Sequence, residues 1–354
     1  MLKKSSAWLR WTVVSAAIAS LAAATILVAG NKPSQAAGEV TLTGAGATFP
    51  QPIYSKWFYE YNRIHPDIRI NYQGIGSGGG IQQITQRTID FGASDAPMTE
   101  EEMAKAPGIL HIPTVIGAVV PTYNLPGIRT TLHITGTVLA DIYLGKITRW
   151  NDPRLTSLNP GVKLPNLPIA VVHRSDGSGT TNIFTSYLTA VSAEWAKKVG
   201  AGKSVDWPVG RGGKGNPGVA ALVGQTPGAI GYVELAYVHQ NNLPYILVQN
   251  RNGKYVEPSV ESTIAAAAGA INNMPADFRA TIVNSPGDNV WPIAGFTWLL
   301  IYRDQKDPVK GKALVDFVKW ALTQGDQMAE ALDYAPLPDS VQNKVLQALD
   351  TIRF

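Results

Sequence analysis

The chain has 354 residues, with 30 Lys and Arg against 26 Asp and Glu, and it has no cysteine. The lack of cysteine excludes a disulfide scaffold, a zinc–thiolate site, a thiol nucleophile and a lipidated cysteine. Residues 1–36 hold four of the basic residues and no acid, which leaves 26 of each sign in the remainder. That neutral remainder argues against a nucleic-acid binder that works through a broad basic field.

The N-terminus predicts export. A basic start is followed by a mainly apolar run at 11–29 and then by Ser34-Gln-Ala36, a small-x-small cleavage pattern. We therefore interpret residues 1–36 as a signal peptide that is removed near Ala36, which places the mature protein in the periplasm. An uncleaved membrane anchor is the alternative, and it is less favoured because the run is rich in Ala and Ser.

Short apolar runs then alternate with amphipathic stretches, which predicts a mostly parallel sheet with helices on both faces. In the first half we expect strands at 40–44, 68–72, 89–93, 108–116 and 118–123, and helices at 53–64, 81–87 and 138–144. In the second half we expect strands at 169–173, 229–233, 245–249 and 296–302, and helices at 181–191, 235–240, 308–323, 327–332 and 340–352. Long Pro/Gly/Asn loops are predicted at 151–168 and 210–218.

We predict an α/β protein of two lobes, because the roughly 310 residues of the mature chain are more than one sheet usually uses. Extended runs at 118–124 and 290–298 are the expected crossings between the lobes. The signal peptide then covers 1–36, lobe 1 is discontinuous (37–123 and 292–354), and lobe 2 covers 124–291.

Three segments, at 43–50, 73–80 and 174–181, share one design: a strand ends in glycines, a small hydroxyl residue follows, and a helix begins. The first N–H groups of a helix have no internal partner, and the helix dipole adds partial positive charge there. Such a turn is a ready anion site. For any one turn alone, ordinary capping by Ser or Thr is the better interpretation. Three glycine-flanked examples in one chain favour anion binding.

Arg174 opens the third segment and can donate two parallel hydrogen bonds to a tetrahedral oxyanion. The alternative for Arg174 is a structural salt bridge with Asp176, and both roles are compatible. The other glycine-rich stretch, at 210–215, lacks the spacing of a phosphate-binding P-loop, so we predict an ordinary loop there.

Asp95 is a carboxylate among these candidate donors. An ionised Asp can accept the O–H of hydrogen phosphate, whereas sulfate at neutral pH has no proton and would meet Asp95 as a like charge. Sites that need a ligand O–H reject the analogue lacking it by roughly ten-thousandfold or more. The alternative is that Asp95 only caps or turns the chain before Pro97. It is weakened by Thr99 and Glu102, which form a capping-box pattern further on.

Four segments together resemble the periplasmic phosphate-binding proteins of bacterial phosphate ABC transporters: Gly-Ala-Gly-Ala-Thr-Phe-Pro at 44–50, Tyr-Gln-Gly-Ile-Gly-Ser at 72–77, Asp-Phe-Gly-Ala-Ser-Asp-Ala-Pro at 90–97 and Arg-Ser-Asp-Gly-Ser-Gly-Thr at 174–180. The likeness continues at 142–147, 228–233 and 333–338 and covers nearly all of the mature chain. It implies a two-lobed type II periplasmic binding protein, each lobe a mostly parallel sheet flanked by helices, with the ligand cleft between the lobes.

The resemblance also implies a set of roles. Asp95 matches the family's acceptor and Asp176 the residue that braces the arginine, while Phe49 would act through its backbone N–H with its ring packed. The implied donors number about a dozen and come from Thr48, Phe49, Ser77, Arg174, Ser178, Gly179 and Thr180. The implied partners are inorganic phosphate and the membrane permease of an ABC transporter, with the protein a monomer. No cofactor, metal ligand or catalytic residue is predicted.

Three rival interpretations remain open, and one of them, a surface adhesin or structural protein, would show no saturable anion binding. A phosphatase or serine hydrolase would use Ser178, but the sequence around Ser178 is not a nucleophile elbow, and Arg174 disfavours proton acceptance by the neighbouring His173. A binding protein for another oxyanion, such as sulfate, is the second rival, and Asp95 argues against it.

Overall fold

The computed structural model describes residues 38–271 and 273–354, so the predicted signal peptide lies outside the described residues. Residues 39–354 form one compact unit. The strands are β1 (Val40–Gly46), β2 (Ile68–Gly74), β3 (Phe91–Ser94), β4 (Ile109–Tyr123), β5 (Leu132–Ile134), β6 (Ala170–Arg174), β7 (Arg211–Gly213), β8 (Ala229–Glu234), β9 (Ile246–Val248), β10 (Ala294–Tyr302) and β11 (Ala335–Pro336).

The helices surround these strands, and no helix in the described part of the chain is long and apolar enough to span a membrane. They are α1 (Gln51–Ile64), α2 (Ser77–Thr85), α3 (Glu100–Lys105), α4 (Gly136–Tyr143), α5 (Pro153–Thr156), α6 (Gly179–Val191), α7 (Ala193–Lys198), α8 (Gly215–Gln225), α9 (Leu235–Gln240), α10 (Val260–Ile271), α11 (Pro308–Thr323), α12 (Gln327–Glu330) and α13 (Asp339–Leu349).

The main sheet has the strand order β2-β1-β3-β10-β4-β8-β6-β7, and β5 and β9 form a small separate parallel pair. A sheet with flanking helices confirms the predicted α/β class. The sheet is mixed, because β10 runs antiparallel to both β3 and β4, and β4 runs antiparallel to β8. The reversal follows from the chain path, which runs out along β4 and returns along β10.

Strand β4 joins two parts of the sheet. Its first stretch, up to Ala118, pairs with β10, and its last stretch, Val119 to Tyr123, pairs with β8. We call β2-β1-β3-β10-β4 the first part and β8-β6-β7 the second part. The predicted lobe boundaries (37–123 with 292–354, and 124–291) stay a prediction.

The elements form for ordinary reasons. Along α1 the apolar residues Ile53, Tyr54, Trp57, Phe58 and Tyr61 recur at helical spacing, and all five are buried. In the second part, the ring of Phe184 on α6 stacks on Tyr232 of β8 with the ring centroids 4.1 Å apart. These packed faces hold the strand ends, and therefore the turns that follow them, in fixed positions.

Some predicted elements are wrong, and the strands expected at 108–116 and 118–123 are one strand, β4. Helix α2 begins at Ser77 and not at 81, so its first turn includes the glycines at 78–80. Gly80 has no room for a side chain, because a Cβ there would lie 2.6 Å from the Cα of Gly46. The stretch 210–218, predicted as a loop, contains β7 and the start of α8. The other predicted loop, 151–168, holds only the short helix α5.

Candidate functional site

The first predicted turn places Thr48 and Phe49 between β1 and α1. Thr48 is buried, and its Oγ1 accepts hydrogen bonds from the backbone N–H and the side-chain amide of Asn216, each at 3.0 Å. The N-cap residue of α1 is Pro50, which makes no side-chain cap hydrogen bond, so capping does not explain Thr48. In the described residues, the backbone N–H groups of Thr48 and Phe49 have no hydrogen-bond acceptor.

The ring of Phe49 is packed, as predicted. It is fully buried and meets the ring of Tyr334 edge to face at 6.3 Å. The hydroxyl of Tyr334 donates to the carbonyl of Phe49 at 2.6 Å, and the hydroxyl of Tyr237 donates to the carbonyl of Thr48 at 2.5 Å. These two hydrogen bonds hold the backbone of the turn in place and so fix the direction of its N–H groups.

The second turn places Ser77 as the first residue of α2. The preceding Gly76 has φ of 88° and no side chain to cap the helix, so Ser77 is not the cap either. The Oγ of Ser77 accepts hydrogen bonds from the backbone N–H of Gly179 at 3.0 Å and of Asp95 at 3.2 Å. The second turn therefore touches both the third turn and the loop after β3.

The third turn places Ser178, Gly179 and Thr180 at the start of α6. Ser178 is the N-cap, with its Oγ accepting from the N–H of Thr181 at 3.0 Å, so the capping interpretation holds for this serine. The N–H of Ser178 donates to the carbonyl of Lys203 at 2.8 Å. The N–H groups of Ser178 and Gly179 are thus both engaged, and two of the dozen expected donors are committed within the protein.

Arg174 ends β6 and is buried beside these turns. Its Nε and Nη2 donate to the two carboxylate oxygens of Asp176, at 2.8 and 2.5 Å, and its Nη1 donates to Oγ1 of Thr180 at 3.2 Å. A guanidinium has five N–H groups, so two remain for a ligand. The predicted salt bridge is therefore present, and it leaves the predicted two-bond contact possible.

The ionisation of Asp176 is controlled by its contact with Arg174. Burial pushes the pKa of Asp176 upward, but the hydrogen bonds and the charge of Arg174 outweigh burial, and the pKa ends below its usual value. Asp176 also accepts from the backbone N–H of Gly215 at 2.9 Å. The Asp176 carboxylate thus stays ionised and neutralises the arginine at neutral pH.

Asp95 directly follows β3 and is almost fully buried. Its Oδ1 accepts from the hydroxyl of Thr297 on β10 at 2.9 Å. A Cβ added to Gly179 would lie 2.6 Å from the Cβ of Asp95, so the third turn approaches this loop closely. The next helix is capped by Thr99 in the predicted capping box with Glu102, so Asp95 does not serve as the cap.

Burial raises the pKa of Asp95 to about 7, against the opposing effects of the Thr297 hydrogen bond and the Arg174 charge. Since a carboxyl group with that pKa gains or loses a proton near neutral pH, Asp95 can accept a ligand proton when ionised.

The structure thus brings every predicted site residue into one buried cluster, which we call the oxyanion cluster: Thr48, Phe49, Ser77, Asp95, Arg174, Ser178, Gly179 and Thr180, with Asp176 behind the arginine. Whether each of them contacts a ligand stays a prediction.

Sequence reasoning missed two members of this environment, Asn216 and Thr297. Asn216 lay in the stretch predicted as a loop, although Pro217 marks the first turn of a helix and an apolar, helix-forming run follows it. Thr297 lay in a predicted strand, where nothing in the local sequence indicates which way a hydroxyl points.

The histidine nearest to Ser178 in sequence does not contact it in the described residues. His173 lies on β6 with its Nδ1 2.9 Å from the carbonyl of Arg174, and its ring stacks on Trp207 at 4.7 Å. No histidine of the described residues hydrogen-bonds to Ser178.

Comparison with known proteins gives one consistent picture. Residues 31–324 match the family model described as a PBP superfamily domain. A relative from Pasteurella multocida named "Phosphate-binding protein PstS" is 50% identical over 306 residues, which cover 86% of this chain and 88% of the relative. A relative of the same name from Methanocaldococcus jannaschii is 41% identical over 346 residues, covering 91% of this chain and 88% of the relative.

Solved structures resemble the fold at lower identity. A phosphate-binding protein from Stenotrophomonas maltophilia superposes with a TM-score of 0.67 at 19% identity, over 87% of this chain and 93% of that one. A putative phosphate ABC transporter substrate-binding protein with bound phosphate, from Clostridium perfringens, gives a TM-score of 0.62 at 19% identity, over 84% of this chain and all of that one.

Proposed function

The chain belongs to the phosphate-binding proteins of the PBP superfamily, and on that premise we propose that it binds inorganic phosphate in the oxyanion cluster. The observation that carries the proposal is the imbalance of donors and acceptors there. Hydroxyl, backbone N–H and guanidinium donors converge from three helix-opening turns, and they meet one side-chain acceptor, Asp95. Hydrogen phosphate matches that set, because it has four acceptor oxygens and one proton.

Binding and not turnover is the activity that the site supports. Nucleophilic catalysis by a serine needs a neighbouring base, and the nearest histidine in sequence, His173, is turned to a backbone carbonyl. The same imbalance favours phosphate over sulfate, since sulfate would leave an ionised Asp95 facing an oxygen without a proton.

The wider role follows from the relatives. Because they carry the phosphate-binding name and a similar fold is described as an ABC transporter substrate-binding protein, the protein would deliver phosphate to a membrane permease from the periplasm, as a monomer without a cofactor. Residues 1–36 would direct its export.

Calorimetry of the purified protein with phosphate, arsenate and sulfate tests the proposal. Phosphate should bind, arsenate should bind because it shares the proton, and sulfate should bind far more weakly. Equal affinity for sulfate would contradict the role of Asp95, and release of product from a phosphomonoester would revive the hydrolase.

The two parts of the sheet should also close on the ligand. The N–H of Gly78, in the turn after β2, donates to the carbonyl of Gly177, in the turn after β6, at 2.9 Å, so these two turns are in contact in this structure. We propose that this contact opens when phosphate is absent, so X-ray scattering should show a smaller radius of gyration with phosphate than without it, and equal radii would count against closure.

A further inference from the structure

Asn216 is the second residue of α8 and is fully buried beside the oxyanion cluster. Its Oδ1 accepts from the backbone N–H of Glu234 at 3.0 Å. A backbone N–H can only donate, so the atom facing it must be the amide oxygen, and this contact fixes the orientation of the amide. The amide nitrogen therefore faces the cluster.

The two hydrogens of that nitrogen are both used. Nδ2 lies 3.0 Å from Oγ1 of Thr48, which comes from the first turn, and 3.1 Å from Oγ1 of Thr180, which comes from the third turn. One side chain thus connects a hydroxyl of the first part of the structure with a hydroxyl of the second part.

The contacts of these two hydroxyls leave them only one hydrogen-bonding role. A hydroxyl has two acceptor lone pairs and one proton. Thr48 accepts from the backbone and the side chain of Asn216, and Thr180 accepts from Asn216 and from Arg174 at 3.2 Å. With both lone pairs occupied, each hydroxyl can offer only its proton to a further partner.

We infer that Asn216 is a positioning residue that fixes the hydroxyls of Thr48 and Thr180 as hydrogen-bond donors toward the oxyanion. The inference rests on the proposed function. Donors oriented before the ligand arrives need no reorganisation on binding, which makes them stronger than freely rotating hydroxyls. They also reject any ligand that presents an O–H on this side, so the single proton of hydrogen phosphate is left to face Asp95.

A double-mutant cycle tests this role by calorimetry with inorganic phosphate. Asn216→Ala should weaken binding by roughly tenfold, since it removes two hydrogen bonds that orient donors. Thr48→Val removes one of the oriented hydroxyls and should also weaken binding. Because part of the effect of Asn216→Ala acts through the Thr48 hydroxyl that Thr48→Val removes, the double variant should lose clearly less affinity than the product of the two single losses.

A second variant guards against misfolding. Asn216→Asp keeps the acceptor for the N–H of Glu234 but turns the donor into a further acceptor, so the hydroxyls of Thr48 and Thr180 would direct their protons to it. It should bind phosphate more weakly than Asn216→Ala at pH 8 while its thermal unfolding stays cooperative. As a matched control, Asn62→Ala removes an exposed amide that donates to the carbonyl of Ile68, and phosphate affinity should not change.

Each outcome decides between the claims. If the wild type binds no phosphate, the proposed function fails and this inference fails with it. If the wild type binds, but the fold-losses of Asn216→Ala and Thr48→Val simply multiply, or Asn216→Asp binds as the wild type does, then only the role of Asn216 is overturned.

Discussion

The oxyanion cluster has two unlike ends. At the donor end, Arg174 is neutralised by Asp176, whose pKa is held below its usual value by that contact. At the acceptor end, Asp95 has no cation in hydrogen-bond contact within the described residues, and burial raises its pKa to about 7. The difference indicates that affinity for oxyanions and selectivity among them depend on different residues. Mutations should therefore change the two properties separately.

The largest effect is expected at the donor end. Arg174→Met removes the only full positive charge among the cluster residues and the two N–H groups left for the ligand, and it leaves Asp176 unpaired. Since a hydrogen bond to a charged group contributes about 1.5–3 kcal/mol, phosphate affinity should fall by at least about a hundredfold, and calorimetry measures it. Arg174→Lys restores the charge without the paired geometry and should recover part of the loss. Full recovery by lysine would mean that charge alone matters there.

A smaller effect is expected at the acceptor end. Asp95→Asn should weaken phosphate binding by roughly tenfold, because the acceptor loses its charge but keeps an oxygen. Sulfate affinity should rise at the same time, since the amide of this variant carries no charge to repel the anion. Competition calorimetry with both anions gives the ratio. A variant that loses phosphate and sulfate affinity equally would place Asp95 among the general binding residues and erase the difference between the two ends.

The pH dependence of sulfate affinity tests the role of the acceptor end without a large structural change. Because the pKa of Asp95 is raised to about 7, the carboxyl is protonated below that pH and no longer repels sulfate. Wild-type affinity for sulfate should therefore increase as pH falls from 8 to 6, and Asp95→Asn should not show this increase. Parallel curves for the two proteins would assign the pH effect to another group.

The smallest effect is expected from a buried acid outside the cluster. Glu234 is fully buried, its Oε1 has no partner in the described residues, and burial raises its pKa well above the usual value. A raised pKa means that the stability contribution is complete below the unfolded-state pKa and is lost as pH rises. The melting temperature of Glu234→Gln minus that of the wild type should therefore increase by a few degrees, roughly, between pH 5 and pH 8. A constant difference would mean that Glu234 does not retain its proton.

Much of this architecture could be predicted from local sequence. The alternation of apolar runs with amphipathic stretches predicted the α/β class, and the glycine-flanked turns predicted where Thr48, Ser77 and Thr180 lie. These features are local, because a strand end and a helix start are encoded within a few residues of each other.

What could not be predicted depends on contacts between distant segments. Asn216 meets Thr48 across 168 positions, and Thr297 meets Asp95 across 202. The antiparallel placement of β10 beside β3 and β4 is likewise set by the path of the chain between the two parts. Helix α10 is a different case, because its run of alanines favours a helix locally although the predicted elements do not include it.

The shared strand β4 has a mechanical consequence. Ala118 of β4 faces Ala294 of β10, and the N–H of Val119 donates to the carbonyl of Ile293 at 2.8 Å, so the outgoing and returning chain lie side by side at the junction of the two parts. A ribbon of two hydrogen-bonded strands bends more easily than it shears. If the two parts close on phosphate as proposed, the motion has to bend this ribbon about one axis, because its two strands are where the chain crosses between the parts. The distance between two spin labels placed on either side of that axis would then report whether the ligand is bound.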